Sequence, residues 1–218
     1  MDFDMRALPL AQRYKILTST VTPRPIAWVT SQSAEGVVNA APYSFFNVVG
    51  AEPALVVLGL LKNLQTRTLK DTARNILETG EFVVNLVCEA DAETMNLSSV
   101  DAPPEVSEID YAGIATVPST MVAPPRIATS PVSFECRKVT ALDIGTHQTV
   151  LIGEILMAHI ADEFISDREK LYFDTPAMKL IGRTHGSGWY ARTSDQFDLV
   201  RPKFDAERAA RTSKADER

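Results

Sequence analysis

The sequence predicts a mostly β protein with peripheral helices, built as an antiparallel β-barrel or sandwich. About six short apolar segments have the composition and length of strands, and turn residues separate them. Only one segment has a clear helical period. The 218 residues fit a single domain, which we place at residues 1–202, and the densely charged residues 203–218 are expected to form a flexible tail.

Composition and charge argue against several classes of protein. With 22 Lys and Arg against 28 Asp and Glu, the net charge is −6, whereas a surface that binds nucleic-acid phosphates needs clustered basic residues. The most apolar run, Pro53–Leu61, is far too short to cross a bilayer, and the N-terminus has no signal-peptide pattern. We therefore expect a cytoplasmic protein that binds neither nucleic acid nor membrane, with Cys88 and Cys136 reduced.

The first half of the chain is predicted to contain most of the strands. A proline turn leads into a strand over Arg24–Ser31, and Val37–Phe45 forms the next one. Pro42 marks a strand end or a bulge, because proline has no N–H to donate to a neighbouring strand. The apolar segment Ala54–Leu60 has the pattern of a strand buried on both faces, and Glu81–Val87 is predicted to be a further strand.

Thr68–Thr79 has the clearest helical pattern. Its apolar residues recur on one face and are Leu69, Ala73, Ile76 and Leu77. Thr68 and Asp71 have the spacing of a capping box, with the Asp71 side chain capping the first turn, and Gly80 suits the position just past the helix end. A shorter helix is expected over Ala90–Leu97.

The second half is predicted to contain a long hairpin between irregular segments. Ala102–Pro131, rich in Pro, Ser, Thr and Ala, is expected to run over the surface, and the residues before Thr20 are mixed. Strands over Val132–Leu142 and Thr149–Ile160 are predicted to pair through a turn near Gly145. Phe173–Arg192 has a loop-like composition, and Phe197–Val200 is expected to be a last short strand.

Candidate motifs for a dinucleotide site and for a metal site lack the neighbouring residues that such sites require. Gly186–Ala191 matches G-x-G-x-x-A, but too little chain follows it for a dinucleotide-binding unit. His147, His159 and His185 lack metal-ligand spacing with Cys or carboxylates, so no metal site is predicted. His159 lies in an apolar strand, where a structural histidine is expected.

Three segments together suit a flat polar ring with a phosphate tail. Trp28–Ser31 ends a strand with two hydroxyls, and Asn39–Asn47 combines small residues, a proline and aromatic side chains. Arg67–Thr72 begins the predicted helix, whose unpaired amides and positive dipole end favour a phosphate. Trp28 and Phe45 are equally compatible with an ordinary core, and Lys70 with a solvated helix lysine.

These segments resemble the flavin reductase-like FMN-binding split-barrel proteins, in particular their flavoredoxin-like branch. The order and spacing of the segments fit that family, over roughly Thr18 to Val200. The matching segments are Pro23–Ser31, Gly36–Phe46, Lys70–Asn75, Thr79–Asn85, Ile152–Ile155 and Gly188–Thr193.

The resemblance implies a split β-barrel that binds FMN near the interface of a homodimer. Thr30 and Ser31 would contact the ring edge or the ribityl chain, and the segment from Ala41 to Phe45 would line the flavin. Lys70, as the charge partner, would hold the phosphate with the backbone amide of Asp71 and with Thr72. The candidate cofactor residues are Trp28, Val29, Thr30, Ser31, Ala41, Pro42, Tyr43, Ser44, Phe45, Asn47, Arg67, Lys70, Asp71 and Thr72.

The resemblance also implies that NAD(P)H is the electron donor. Reductases of this family carry Gly-Asp-His before a Gly-Glu-Val strand, and this chain has Gly145-Thr146-His147. His147 and His185, the latter in a glycine-rich loop, are candidate catalytic residues. An FMN-binding oxidoreductase that passes electrons to a flavin or another acceptor is expected. An FMN-binding electron carrier without its own NAD(P)H site and a non-catalytic β-barrel interaction module stay open as alternatives.

Overall fold

The computed structural model describes residues 1–63, 66–103 and 106–204. It consists mainly of antiparallel strands, as the sequence predicts. The helices are α1 (Leu10–Thr20), α2 (Asp71–Thr79), α3 (Ala92–Leu97) and α4 (Glu108–Ala112). The strands are β1 (Arg24–Pro25), β2 (Ala27–Gln32), β3 (Val38–Tyr43), β4 (Phe46–Ala51), β5 (Ala54–Leu61), β6 (Glu81–Leu86), β7 (Thr116–Val117), β8 (Arg126–Ile127), β9 (Val132–Ile144), β10 (Gln148–Ile160), β11 (Ile165–Asp167), β12 (Tyr172–Phe173), β13 (Ile181–Arg183) and β14 (Tyr190–Arg192).

The main sheet has seven strands in the order β3-β2-β6-β9-β10-β5-β4, so β3 and β4 lie at its two edges. Only Ser44 and Phe45 join these edge strands along the chain. In a flat sheet the two edges would be about 29 Å apart, whereas the chain from Tyr43 to Phe46 spans at most about 11 Å. The sheet must therefore curl until its edges approach each other, which produces a barrel that is split along the seam between β3 and β4.

A hydrogen bond from β5 continues the pairing of β5 with β4 into this link. The Gly59 amide of β5 donates a hydrogen bond of 2.7 Å to the Phe45 carbonyl, in the link between the edge strands. Pro42 lies inside β3 rather than at its end, where it pairs with Trp28. The sheet tolerates it because β3 is an edge strand, which has a neighbour on one side only.

The two faces of the sheet carry separate hydrophobic clusters. Inside the barrel, Phe82, Cys136 and Leu151 are fully buried, and Ile76 of α2 packs against the same cluster. On the outer face, Trp28 packs with a cluster whose buried members are Ile26, Ala40, Val87, Met95, Ile109, Ile114, Ile127 and Ile181. The segment after α3 therefore covers one face of the sheet and supplies Ile109, Ile114 and Ile127 to its core.

Two buried polar side chains hold that covering segment against the sheet. Asn85 donates from Nδ2 to the Trp28 carbonyl at 2.9 Å, and its Oδ1 accepts from the Ile127 amide at 3.0 Å. Glu135, whose side chain is fully buried, accepts hydrogen bonds from the amides of Thr120 and Met121. Because each buried polar atom has a partner, these contacts attach the 118–127 segment without leaving a desolvated group unpaired.

Of the remaining strands, β7 pairs with β8 and β11 with β12, and the other three form a small sheet in the order β1-β13-β14. Arg24 of β1, which is buried, connects this sheet to its surroundings. Its Nη1 donates to the carbonyls of Thr18 and Val21 at the end of α1, each at 2.7 Å, and its Nη2 donates to the Thr184 carbonyl at 3.0 Å. Its Nε donates to Ser44 Oγ at 3.4 Å. One side chain thus joins α1, the seam and the 184–189 turn.

The structure confirms several predicted elements. The strand predicted over Arg24–Ser31 is present as β1 and β2, and the hairpin predicted near Gly145 is β9 and β10. The short helix predicted over Ala90–Leu97 is a 3₁₀ turn followed by α3. Gly80 ends α2 in the left-handed conformation with φ of 77°. Cys88 and Cys136 are free thiols.

Other predictions are wrong. β5 alternates between buried and half-buried residues, because only one of its faces meets the core. Phe173–Arg192 is not a loop, since β13 and β14 pair within it. Phe197–Val200 forms no strand, and the side chains of Phe197, Leu199 and Val200 are exposed. The helix α1 and the strand β4 were not predicted, because α1 buries only Thr18 and β4 exposes Asn47, Val48 and Val49.

The C-terminal tail predicted at 203–218 falls mostly outside the described residues. Lys203 and Phe204 have no regular structure and are exposed. Among the residues that the structure describes, no helix combines the length and the apolar character that crossing a bilayer requires.

Gly153 in β10 makes a close approach that no other residue type would allow. A Cβ at this position would lie 2.4 Å from Cζ of Phe82. We expect Gly153→Ala to destabilise the fold by about 1–3 kcal/mol, because the added methyl overpacks the barrel core. Urea unfolding followed by circular dichroism measures this loss. Gly188→Ala is the matched control, since a Cβ there meets nothing within 4 Å. Equal losses in the two variants would contradict the explanation.

Burial raises the pKa of Glu135, but hydrogen bonds from Thr120, Met121 and His159 outweigh it, so the pKa lies below its usual value. The stabilisation is therefore complete above the ordinary glutamate pKa of about 4.3 and is lost as pH falls through the lower folded-state pKa. We expect Glu135→Gln to lower the free energy of unfolding by about 1–3 kcal/mol at neutral pH, because an amide nitrogen replaces an accepting oxygen.

Urea titrations of the wild type and Glu135→Gln at about pH 7 and about pH 3 test this expectation. The difference between the two proteins should shrink at the lower pH. Glu35→Gln, at an exposed position in a turn, serves as the control and should change stability little at either pH. A difference that is the same at both pH values would show that the ionised carboxylate is not what stabilises the fold.

Candidate functional site

A pocket of about 330 Å³ opens where α2 begins, between the inner face of β3 and the residues that follow α3. Its wall on the β3 side contains Asn39, Ala41, Pro42 and Tyr43. The remaining lining residues are Asn63, Thr68, Leu69, Lys70, Asp71, Thr72, Arg74, Ser98, Ser99, Val100, Asp101, Ala102 and Glu108. Because β3 borders the seam of the barrel, the pocket lies beside the split between the two edge strands.

The N-terminus of α2 supplies hydrogen-bond donors to this pocket. The helix begins at Asp71, three residues later than predicted, and its cap residue Lys70 makes no side-chain hydrogen bond to the first turn. The first amides of a helix have no partner within the helix, and the dipole makes this end positive. The helix therefore presents to the pocket backbone N–H groups that no capping side chain occupies.

The predicted capping box is wrong. Thr68 lies two residues before the cap position, where its hydroxyl shares a hydrogen bond of 2.6 Å with the hydroxyl of Thr66. The Asp71 carboxylate does not cap the helix either, because it accepts a hydrogen bond of 2.8 Å from Arg74 Nη1. This ion pair neutralises the one acidic side chain in the first turn, so the positive end of the helix is not cancelled.

A buried polar network holds α2 against β3. Asn39 Oδ1 accepts from Thr72 Oγ1 at 2.6 Å, and Asn39 Nδ2 donates to Glu108 Oε2 at 2.8 Å. One turn along the helix, Asn75 Nδ2 donates to Ser31 Oγ at 3.2 Å. All of these side chains are buried. The position of the helix N-terminus is therefore fixed by side-chain hydrogen bonds to β3 and β2, and Asn39 in turn links β3 to α4.

Two ionisable groups of the pocket wall are uncharged at neutral pH or shifted toward the neutral form. Burial raises the pKa of Tyr43 to about 12, so its phenol remains a neutral hydrogen-bond donor. Burial also raises the pKa of Glu108, although the hydrogen bond from Asn39 opposes this shift.

Lys70 supplies the positive charge at the pocket rim. Its Nζ lies 2.8 Å from Asp101 Oδ1, and both side chains are largely exposed, at 47% and 84% of their surface. Exposed pairs of this kind contribute only about 0–1 kcal/mol. The ammonium group is therefore free to turn from Asp101 to an anion in the pocket at little cost.

These features fit the phosphate end of a flavin mononucleotide. The donor set combines uncapped helix amides, the Lys70 ammonium and the Thr68 hydroxyl, which is the chemistry that binds a phosphate. The Asp71 carboxylate, which would repel the phosphate, is paired with Arg74. The small residues Ala41 and Ala102 also line the pocket.

The structure brings six of the predicted cofactor residues together in this pocket. They are Ala41, Pro42, Tyr43, Lys70, Asp71 and Thr72. Their contact with a flavin stays a prediction. What the structure adds is that two segments about thirty residues apart in the sequence line one cavity through the network around Asn39.

The predicted residues of β2 lie beneath the pocket rather than in its wall. Trp28 is buried in the outer cluster and donates from Nε1 to Ser98 Oγ at 3.0 Å. Val29 belongs to the inner core, and Thr30 donates to the Pro125 carbonyl. Ser31 accepts from Asn75. Each side chain is buried and occupied within the fold, so any contact with a flavin would have to come through another group.

The other predicted residues lie along the seam or at its edge. Ser44 accepts the hydrogen bond from Arg24, and Phe45 is half-buried with its ring 5.9 Å from that of Tyr14. Asn47 is exposed and its Oδ1 accepts from the Val48 amide. Arg67 is exposed, with φ of 60°, and does not line the pocket.

The two candidate histidines occupy different places. His147 follows the turn of the β9–β10 hairpin, and its carbonyl accepts from the Lys62 amide at 2.9 Å, next to the pocket residue Asn63. Its Nδ1 is buried and has no hydrogen-bond partner in the described part of the chain. His185 is exposed and stacks on Trp189, with ring centroids 5.7 Å apart. Arg24 binds the adjacent Thr184 carbonyl.

Sequence reasoning missed Glu108 and the Ser98–Ala102 side of the pocket. Glu108 comes from the segment predicted to be an irregular excursion, and nothing in its local sequence marks it as a buried partner of Asn39. Ser107 in that segment caps α4, since its hydroxyl accepts from the Asp110 amide at 3.4 Å. That short S-x-x-D pattern was the available signal that a helix begins there.

A comparison with models of protein families shows to which family the chain belongs. The model of the flavin reductase like domain matches residues 19–179, which is most of the chain. The protein belongs to the flavin reductase-like family. The match spans all seven strands of the main sheet and the whole of α2, so it covers the pocket described above.

Solved structures agree with this family assignment. This flavin reductase-like chain is 38% identical to the 2-nitrobenzoate 2-nitroreductase NbaA of Pseudomonas fluorescens, with a TM-score of 0.84 over 94% of this chain and 98% of the other. It is 32% identical to nitrilotriacetate monooxygenase component B of Bacillus cereus, with a TM-score of 0.85 over 91% and 98%. A split barrel domain structure from Shewanella frigidimarina shares the fold at 19% identity, with a TM-score of 0.75 over 94% and 100%.

The comparisons confirm the predicted split-barrel fold and the resemblance to flavin reductases. They support flavin binding and reductase activity for the family as a whole.

Proposed function

We propose that this protein is an FMN-binding oxidoreductase that takes electrons from NAD(P)H and passes them to a flavin or another acceptor. The observation that carries the proposal is the pocket at the start of α2, where uncapped helix amides and Lys70 lie beside Ala41 and Tyr43. A phosphate donor set next to a strand of small and aromatic residues matches the two ends of FMN. The family assignment and the 38% identity to a nitroreductase support a reductase.

In this proposal the chain's own residues bind and orient the cofactor. Lys70 leaves Asp101 to pair with the phosphate, and the first amides of α2 donate to the phosphate oxygens. The network of Asn39, Thr72 and Glu108 keeps those amides in place when the anion binds. Arg74 holds the Asp71 carboxylate and limits its repulsion of the phosphate.

FMN, when bound, supplies a ring that accepts a hydride and gives up electrons, so the protein needs no acid–base pair of its own for that chemistry. Tyr43, kept neutral by burial, can donate a hydrogen bond toward the ring side of the pocket. The pocket borders the seam, and the backbone of β3 there has no neighbouring strand on its outer side.

A homodimer with FMN near its interface is part of the proposal. At the far end of the β9–β10 hairpin, the side chains of Val139, Leu142 and Ile144 are each at least half exposed. Exposed apolar side chains grouped in this way favour burial against another molecule. A cytoplasmic location fits the free thiols of Cys88 and Cys136, which are typical of reducing compartments.

A second candidate function is an FMN-binding electron carrier that has no NAD(P)H site. Thr146 favours it, because the reductases that this chain resembles have an aspartate before the histidine of the Gly145–His147 turn. A non-catalytic interaction module is disfavoured by the pocket, whose donor groups would have no purpose in it.

Anaerobic mixing of the FMN-loaded protein with NADH and, separately, with NADPH distinguishes these functions. Prompt bleaching of the visible flavin absorbance by either nucleotide is expected for the oxidoreductase. Absence of bleaching by both nucleotides, combined with bleaching by dithionite, would support the electron carrier. Protein that does not retain or bind FMN at all would contradict both.

We expect Lys70→Ala to weaken FMN binding roughly ten- to hundredfold, because a charge-assisted hydrogen bond to the phosphate is lost. Riboflavin, which lacks the phosphate, should bind the variant and the wild type with similar affinity. Quenching of flavin fluorescence on titration with protein measures both affinities. Lys15→Ala, at an exposed position of α1, is the control. An equal loss of affinity for FMN and riboflavin would show that Lys70 does not contact the phosphate.

A further inference from the structure

A second pocket, of about 470 Å³, lies on the opposite face of the main sheet from the candidate flavin site. Asn85 pairs with Trp28 on one side and with Ser133 on the other, and paired residues share a face of the sheet. Ser133 lines this second pocket, whereas Asn39, which lines the first, pairs with Ser31 on the alternate face of β2. Among the residues that the structure describes, none lines both pockets.

His159, which lines this pocket and has a side chain 24% exposed, forms a dyad with the buried Glu135. Ser133 and His159 are paired residues of β9 and β10, and His159 Nε2 lies 2.6 Å from Glu135 Oε1. Glu135 has no exposed surface, and both of its oxygens accept backbone amides, so its carboxylate is fixed in position. Because Nε2 contacts the Glu135 carboxylate, the imidazole is held in position and its Nδ1 is available for another partner.

The charges around the pocket do not balance. Arg168 pairs with Asp162 at 2.9 Å, and His159 pairs with Glu135. Arg126 hydrogen-bonds only to the Pro118 carbonyl, from Nε at 3.3 Å and Nη2 at 3.2 Å, and it has no carboxylate partner within the part of the chain that the structure describes. One arginine is therefore left without an opposing charge in a concave site.

The rest of the pocket is mostly apolar. Side chains of Ile127, Ile160 and Ile165 line it, together with Leu171 and Phe173 from the β11–β12 turn region. A concave site of this size with an apolar wall and a few convergent polar groups is the usual form of a small-molecule site. The combination with an unpaired arginine selects a ligand that has one negative charge and an apolar body.

We propose that this pocket binds a small organic monocarboxylate at a site separate from the flavin site. The carboxylate pairs with the Arg126 guanidinium beside the His159 imidazole, while the apolar body of the ligand packs against Ile160 and Phe173. Glu135 is a positioning residue, because it orients His159 without reaching the ligand itself. This site is independent of the proposed function, since it uses no residue of the first pocket.

Isothermal titration of the full-length, FMN-loaded protein with benzoate and with hexanoate tests the proposal. At least one of these monocarboxylates should bind saturably, and the corresponding neutral amide should bind about tenfold or more weakly. Arg126→Gln should reduce carboxylate affinity by about tenfold or more, with FMN affinity unchanged. Arg6→Gln, whose side chain is almost fully exposed near the N-terminus, is the control.

His159→Gln provides a second variant that retains a hydrogen-bonding side chain beside Glu135, and it should also weaken carboxylate binding. Circular dichroism checks that each variant is folded. Failure of both carboxylates to saturate, equal binding of carboxylate and amide, or unchanged affinity in folded Arg126→Gln would each overturn the proposal. Competition between the carboxylate and FMN would overturn it as well, because the ligand would then occupy the first pocket.

Discussion

The chain crosses from one edge of the main sheet to the other through Ser44 and Phe45, and this short link constrains the whole architecture. A sheet whose edges are joined by two residues cannot stay flat, so it must curl into a split barrel. The curl places β3 at the seam, with its inner face toward α2. The β3 wall of the pocket is therefore a consequence of this connection.

The second requirement is that the N-terminus of α2 stays uncapped and yet firmly placed. Asn39 meets both conditions, because it bonds to Thr72 in the first turn and to Glu108 in α4 without covering the helix amides. A capping side chain would have stabilised the helix by about 1 kcal/mol. Its absence leaves the amides to a ligand, which is how a helix end becomes an anion site.

The local features of this site were predictable, and the tertiary ones were not. The helical period of Leu69–Leu77 locates α2 to within three residues, and the polar residues before it predict a phosphate site there. The burial of Trp28 and Thr30 was within reach of the sequence, because alternate residues of a strand face opposite sides. Glu108 and Asp101 enter the pocket through packing of a segment whose composition resembles a loop, and sequence spacing carries no record of that contact.

On the outer face of the sheet, too, local features were predictable from the sequence and tertiary contacts were not. The hairpin of β9 and β10 was predicted from alternation and a glycine turn. The pairing of Glu135 with His159 depends on the register between those strands, since the two residues are 24 positions apart. His159 has a structural partner, Glu135, as its place in an apolar strand predicts. It also lines a pocket that no sequence motif predicted.

Arg24 has a consequence for motion within the native state. Its guanidinium donates hydrogen bonds to carbonyls at the end of α1, to the Thr184 carbonyl and to the Ser44 hydroxyl. These three surface segments are therefore held by the same buried side chain. Segments that share a buried anchor open together, as one cooperative unit with a common opening free energy. Amide hydrogens of the first helix and of the glycine-rich turn should therefore exchange with solvent at linked rates, although about 165 residues of chain lie between them.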